Sequence, residues 1–295
     1  MRVLITGASG LLGKALVENN KQHEIIATYV GNYTMQDHGC LQYFKLDIRD
    51  RFGYAKLFKQ YQPQVTIHTA GIGSPDFAEQ NKALVSDINL NGTKNIAENC
   101  ERFNSKLIFI SSNGIYDGHQ APYGENDRAE PVNYYGVIKL KGEEAIKETR
   151  IPHAIVRPIL MYGWNYPFER ANIVTQSILK LQQSEKVYAY DDVYVNPLFN
   201  NSCAEVIWKM INDDKICDYN IGGADRVSIY QLIYKMAEIF NLNKSLAVPV
   251  EQGYFNELVA RPRDTTLKTA KMEKELGIKP LPLDEGLTLM RDAIK

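Results

Sequence analysis

The residues just after the first apolar run constrain this chain most. Val3-Leu4-Ile5 leads into Thr6-Gly7-Ala8-Ser9-Gly10-Leu11-Leu12-Gly13, a G-x-x-G-x-x-G spacing, and a stretch with helix-like apolar periodicity follows over 11–20. Glycines between a strand and a helix let the backbone turn tightly and approach an anion, while the helix amino terminus points its amides and positive dipole end at that anion. The segment is therefore expected to cradle a dinucleotide pyrophosphate. Gly7 and Gly10 shape the turn, Gly13 lets helix and strand pack closely, and Leu11 and Leu12 open the helix. A tight strand-to-helix turn with no ligand is the plainer alternative.

The same alternation continues along the chain. β-rich runs recur at 24–27, 43–46, 65–67, 106–110 and 154–156, and between them 52–61, 77–102 and 134–148 carry apolar residues at helical spacing. Alternating strands and helices imply an α/β fold, a doubly wound Rossmann-type parallel sheet whose ligands collect at the carboxyl ends of the strands. After Arg157-Pro158 the pattern loosens into aromatic, Pro-bearing loops, with helical stretches near 171–183 and 203–212. Residues 1–160 are expected to form the NAD(P)-binding domain, with 191–222 returning to it, and 161–295 mainly a smaller carboxyl-terminal substrate-binding region.

Composition narrows the partners. With 44% hydrophobic residues and a net charge of -1, the chain can build a core and has no bias towards nucleic acid or another polyanion. No run approaches the roughly 18 apolar residues of a membrane span, and the apolar start is too short for a signal sequence. Cys40, Cys100, Cys203 and Cys217 are scattered without a C-x-x-C pair, so reduced thiols and a cytoplasmic location are expected. His23, His38, His68, His119 and His153 lack ligand spacing. No catalytic metal is expected, and His68, in an apolar strand, reads as a hydrogen-bonded core side chain.

The chemistry concentrates in Ser111-Ser112-Asn113-Gly114 and Tyr135-Gly136-Val137-Ile138-Lys139. The strand over 106–110 delivers Ser112 at its carboxyl end, and Tyr135 and Lys139, four apart on a helix, project from one face. A phenol with a reference pKa of about 10 exchanges protons poorly at neutral pH, and lowering it by about 3 units takes roughly 4 kcal/mol. The Lys139 ammonium, together with the positive nicotinamide ring of an oxidised cofactor, is the evident source. Tyr135 would donate a proton to a substrate carbonyl oxygen, and Ser112 would hydrogen-bond that oxygen as charge develops. Tyr-x-x-x-Lys alone is an ordinary surface pair; its order behind the glycine turn and the strand-end serine favours catalysis. Tyr134 has Ile138 at the corresponding offset.

These pieces resemble the extended short-chain dehydrogenases, and further ones follow in family order. The resemblance implies an adenine contact at Asp47 and Ile48, a cofactor-side segment at Ala70 and Gly71 within Thr69-Ala70-Gly71, and a structural Asn89 in Asn89-Leu90-Asn91-Gly92-Thr93. Thr28, near the end of the second strand, joins the cofactor contacts. The strand end Ala27-Thr28-Tyr29-Val30-Gly31 lacks the acid that would bind a ribose 2′-hydroxyl. NADPH is therefore expected, with NADH as the alternative.

Tyr116-Asp117-Gly118, Pro122-Tyr123-Gly124-Glu125, Asp127, Pro131, Asn133, Gly142-Glu143 and Arg261-Pro262-Arg263-Asp264-Thr265-Thr266-Leu267 resemble the dTDP-4-dehydrorhamnose reductase branch of that family. The implied reaction is reduction of the C4 ketone of a nucleotide-linked 4-keto-6-deoxy sugar. Related dehydratases carry two acids where this chain has Asn113 and Gly114, which disfavours elimination. Arg157-Pro158-Ile159-Leu160 and Lys268 depart from the branch pattern. Arg261, Arg263 and Arg170 are candidates for a diphosphate, and Trp164, Tyr166 and Phe168 for a base or sugar. An epimerase or epimerase-reductase is the nearest alternative. A non-catalytic subunit is another, because the regulatory subunit of methionine adenosyltransferase resembles the same branch. Pairing into a homodimer through 77–102 and 134–148 is a further expectation from the resemblance.

Overall fold

A computed structural model describes residues 1–31, 34–37 and 41–293; His38 and Cys40 lie outside the described residues. The main sheet takes in β1 (Arg2–Thr6), β2 (Glu24–Tyr29), β3 (Leu41–Lys45), β4 (Val65–His68), β5 (Lys106–Ile110), β6 (His153–Pro158) and the strand Tyr219–Ile221. Every pairing in it is parallel, and the spatial order is Tyr219–Ile221, β6, β5, β4, β1, β2, β3. Parallel strands need helical crossovers that cover both faces, so the strands are apolar on both sides. Val3 and Ile5 pack into one core cluster, whereas Leu4, between them, joins the other with Ile26, Leu107 and Phe109.

The crossovers are α1 (Leu11–Glu18), α2 (Arg51–Tyr61), α3 (Pro75–Gln80), α4 (Lys82–Ser86), α5 (Thr93–Phe103) and α6 (Tyr134–Lys147). The single helix expected over 77–102 is broken. Asn81 (φ -129, ψ 43) closes α3 by donating its side-chain amide to the Phe77 carbonyl at 3.0 Å, and residues Asp87–Gly92 form a π-helical segment before α5. The third strand starts at Leu41, earlier than its apolar run suggested.

Beyond β6 come α7 (Ile173–Gln182), α8 (Asn200–Asn212) and α9 (Ile229–Ile239), with a short parallel pair of Val187–Tyr190 and Ala247–Val250. α8 lies against α1, where the Trp208 indole donates to the Leu16 carbonyl at 3.0 Å, and the chain then runs into the edge strand Tyr219–Ile221. Among the described residues no helix is long and apolar enough to cross a membrane. No described group of three His, Cys, Asp or Glu residues could hold a metal ion.

Candidate active site

β1 and β4 are neighbours, but the chain leaves them towards opposite edges of the sheet, which opens a crevice at their carboxyl ends. The glycine turn forms its wall. Gly7 has φ 69, in the left-handed region, and a Cβ there would stand 2.7 Å from the Ala70 Cα. At Gly13 a Cβ would meet the Gly7 carbonyl oxygen at 2.3 Å, so α1 closes on to the turn backbone to backbone. Thr69 fastens the opposite wall, its hydroxyl donating to the Thr6 carbonyl at 2.6 Å.

The resulting cleft, of about 1200 Å³, is lined by Gly7, Gly10, Leu11, Leu12, Gly13, Asp47, Ile48, Ala70 and Gly71 at one end and by Ser112, Tyr135 and Lys139 further along. Thr28 is not brought to it. Its hydroxyl shares a 2.7 Å hydrogen bond with the Tyr54 hydroxyl inside the core, and Tyr29 and Val30 line the cleft instead. Asp47 reaches the cleft with its carboxylate bound by the Arg49 guanidinium at 2.7 and 3.0 Å, and those hydrogen bonds hold its carboxyl below the usual range. Asn89, on the π-helical segment, clamps the loop after β4. It accepts from the Ile72 amide at 2.8 Å and donates to the Ile72 carbonyl at 2.9 Å.

Ser112 follows β5 and caps a short 3-10 turn, its Oγ accepting from the Gly114 amide at 3.0 Å. Asn133 caps α6 by accepting from the Gly136 amide at 3.0 Å, while its own amide donates to the Ala260 carbonyl at 3.1 Å. Tyr135 then lies across Gly114 from Ser112: a Cβ at Gly114 would be 3.3 Å from both the Ser112 Oγ and the Tyr135 ring. Burial pushes the Tyr135 phenol above its ordinary value, and the nearby Ser112 hydroxyl pulls it back. Lys139 donates to the Ile110 carbonyl at 2.7 Å and stands 4.9 Å from the centre of the Phe109 ring. Burial pushes its amine down to about 8, opposed by the Glu143 carboxylate. Here burial dominates the phenol, and the ammonium is turned to the strand-end carbonyl. Tyr134 points elsewhere, its hydroxyl donating to the Lys82 carbonyl at 3.1 Å.

His68 is the satisfied core side chain its strand suggested. Its Nδ1 is 2.7 Å from the Thr6 hydroxyl and its Nε2 3.0 Å from the Thr93 hydroxyl. Burial, and secondarily Lys139, push it down to about 3, so the ring is neutral.

Of the three candidate arginines, Arg261 alone lines the cleft, held at 2.6 Å by Asp76 and at 2.8 Å by Glu257. Arg263 hydrogen-bonds Gln252 at 3.1 Å, and Arg170 is exposed away from the lining. The three candidate aromatics also fall outside it: Trp164 donates to the Met290 carbonyl at 2.6 Å, and Tyr166 stacks on Phe168 at 5.2 Å. Aromatic side chains suit a core as well as a pocket, so residue type alone did not separate them. Tyr188, Tyr190 and Phe255 supply the aromatic lining. The partner acid Glu257 sits four residues before Arg261, a readable spacing, whereas nothing in sequence links Asp76 to that loop. The two motif runs meet in space, with the Tyr123 amide donating to the Thr266 carbonyl at 2.8 Å and the Asn113 amide to the Thr265 hydroxyl at 2.6 Å. Leu160, one of the departures from the branch pattern, lines the cleft; Lys268, the other, does not.

Comparison with known proteins places this geometry. Methionine adenosyltransferase 2 subunit beta of Rattus norvegicus is 29% identical over 284 residues, covering 94% of this chain and 83% of the relative. dTDP-4-dehydrorhamnose reductase of Aggregatibacter actinomycetemcomitans is 25% identical over 306 residues, covering 98% of each. The crystal structure of dTDP-4-dehydrorhamnose reductase from Bacillus anthracis in complex with NADP matches with a TM-score of 0.86 and 25% identity, over 98% of both chains. The family model described as the RmlD substrate binding domain matches residues 1–295. With that match running the whole length of a Rossmann-type sheet, the chain belongs to the RmlD substrate binding domain family.

Proposed function

We propose that this protein uses NADPH, with NADH as the alternative donor, to reduce the C4 ketone of a nucleotide-linked 4-keto-6-deoxy sugar. The observation that carries the reading is the meeting of Ser112, Tyr135 and Lys139 in the same cleft as the glycine turn. The residues present fit a dinucleotide: Gly7 and Gly13 leave no room for a Cβ, and the first turn of α1 opens on to the cleft. Gly7, Gly10, Leu11, Leu12 and Gly13 would hold the pyrophosphate, Asp47 and Ile48 the adenine end, and Ala70 and Gly71 the middle. When bound, the reduced nicotinamide supplies the hydride. Tyr135 donates its hydroxyl proton to the carbonyl oxygen, Ser112 hydrogen-bonds that oxygen as negative charge develops, and Lys139 holds positive charge behind the phenol. Asn113 and Gly114 cannot exchange protons, so the site is suited to reduction rather than elimination.

The division of labour follows: residues 1–160 with 191–222 bind the cofactor, and 161–295 mainly bind the sugar. A cytoplasmic location and a homodimer complete the reading. The dTDP-4-dehydrorhamnose reductases at 25% identity support the substrate class. The test is absorbance of NADPH after addition of a dTDP-4-keto-6-deoxy sugar, with and without a 3,5-epimerase. Stoichiometric oxidation is expected; cofactor that is bound and returned would indicate an epimerase instead. The 29% identity to a methionine adenosyltransferase subunit favours one other reading, a binding subunit. Tight NADPH binding with no turnover on dTDP, UDP or GDP keto-sugars, together with a stable complex with a methionine adenosyltransferase, would establish it.

A further inference from the structure

α6 carries Tyr135, Lys139 and Glu143 at four-residue spacing on one face, and each meets a successive residue at the end of β5. Lys139 donates to the Ile110 carbonyl at 2.7 Å, Glu143 accepts from the Ser111 hydroxyl at 2.6 Å, and Tyr135 faces Ser112 across Gly114. Glu143 is fully buried and is bound in a fork by Arg157, Nε to Oε1 at 2.8 Å and Nη2 to Oε2 at 2.6 Å. Arg157 is anchored in turn on the Glu125 carbonyl at 3.0 Å. We propose that Glu143 is a positioning residue of the reductase site: its carboxylate sets the register of α6 on the end of β5 and stations negative charge one turn from Lys139.

A buried ion pair by itself contributes little net stability, since apolar residues of similar volume serve a core as well. What an apolar pair would lack is the anchor for Ser111 and the charge beside Lys139. Among the described residues, Tyr135, Lys139 and Lys147 lie with Glu143 on α6, Lys147 3.9 Å away on the outer side; β4 presents neutral His68 towards Lys139, β6 presents Arg157, and the Asp218 carboxylate, just before Tyr219–Ile221, acts on Arg157. Tyr116, from the loop after β5, approaches Arg157 at 3.4 Å. Of these, Glu143 is the group whose charge raises the Lys139 amine against its burial.

The proposal rests on the reductase reading for its purpose, but its test needs no substrate. The ionisation midpoint of Lys139 is measured from the pH dependence of its acylation by acetic anhydride, with peptide mapping by mass spectrometry. Glu143→Gln, which keeps the shape and removes the charge, is expected to lower the midpoint by about 1 pH unit. The alkaline limb of NADPH oxidation should shift by the same amount. A merely structural role would lower the melting temperature and leave the midpoint in place, so a folded Glu143→Gln protein with an unchanged midpoint overturns the proposal. Should that variant not fold, Ser111→Ala removes one donor from the carboxylate without stranding a charge. It should raise the midpoint by roughly half a unit, with Ser111→Thr restoring it; no change in Ser111→Ala overturns the proposal equally. If the midpoint moves as expected and no keto-sugar is reduced, the reaction is wrong and the role of Glu143 beside Lys139 stands.

Discussion

His68 offers a sharp test of the site's electrostatics. Its ring is fully buried between the Thr6 and Thr93 hydroxyls, and burial and Lys139 push it down to about 3. The unfolded chain takes up a proton near the ordinary histidine value of about 6.5, which the folded protein refuses until much lower pH. The unfolded state therefore binds more protons across that window, and stability falls as pH is lowered from about 6.5 towards 3. Between pH 7 and pH 5 the loss from this residue is about 2 kcal/mol, and it hardly depends on the folded value so long as that lies below about 4. His68→Gln keeps one donor and one acceptor for the two hydroxyls and does not titrate. Urea unfolding of both proteins at the two pH values, followed by circular dichroism, should show wild type losing about 2 kcal/mol more than His68→Gln. Equal losses would mean that His68 accepts a proton in the fold, beside Lys139, and the charge arrangement described here would be wrong.

Three further outcomes follow from the geometry. Gly13→Ala, whose Cβ would meet the Gly7 carbonyl at 2.3 Å, should abolish NADPH binding in a fluorescence titration and lower the melting temperature. Arg157→Met leaves Glu143 buried without its counter-ion and should cost about 3–5 kcal/mol by urea unfolding, much of it recovered when Glu143 is also made neutral. Because Lys139 is pushed down to about 8, its ammonium is present below that pH and lost as pH rises through it. The rate of NADPH oxidation should fall above about pH 8, and Lys139→Met should be slower throughout and lack that limb.

The glycine-turn end of the cleft was legible because its signals are local. A glycine turn between an apolar run and a helical period fixes a strand, a turn and a helix at once, and Ser112, Tyr135 and Lys139 were readable by order and spacing. The long helix over 77–102 was not read correctly. Periodicity continues across Asn81 and the π-helical segment, and only the contact of Asn89 with Ile72 shows why the helix is rewound there. Thr28 was placed at the cofactor by its position at the strand end, but a strand's side chains alternate in direction, and this one faces Tyr54. The rest of the cleft lining was least legible, since it is assembled from distant loops. Arg261 shares the cleft mouth with Asp76, 185 residues away, and the useful aromatics are Tyr188, Tyr190 and Phe255 rather than the cluster at 164–168. Glu143 stood in a motif and Arg157 in a run that departs from the branch pattern, and their pairing needed the sheet to bring α6 over β6.

If the Tyr135 hydroxyl delivers the proton in a ketone reduction, Tyr135→Phe removes the oxygen that carries it and nothing else. NADPH oxidation with a dTDP-4-keto-6-deoxy sugar should slow by about 100-fold or more, with NADPH affinity changed by less than about twofold. Turnover by Tyr135→Phe at close to the wild-type rate would contradict it.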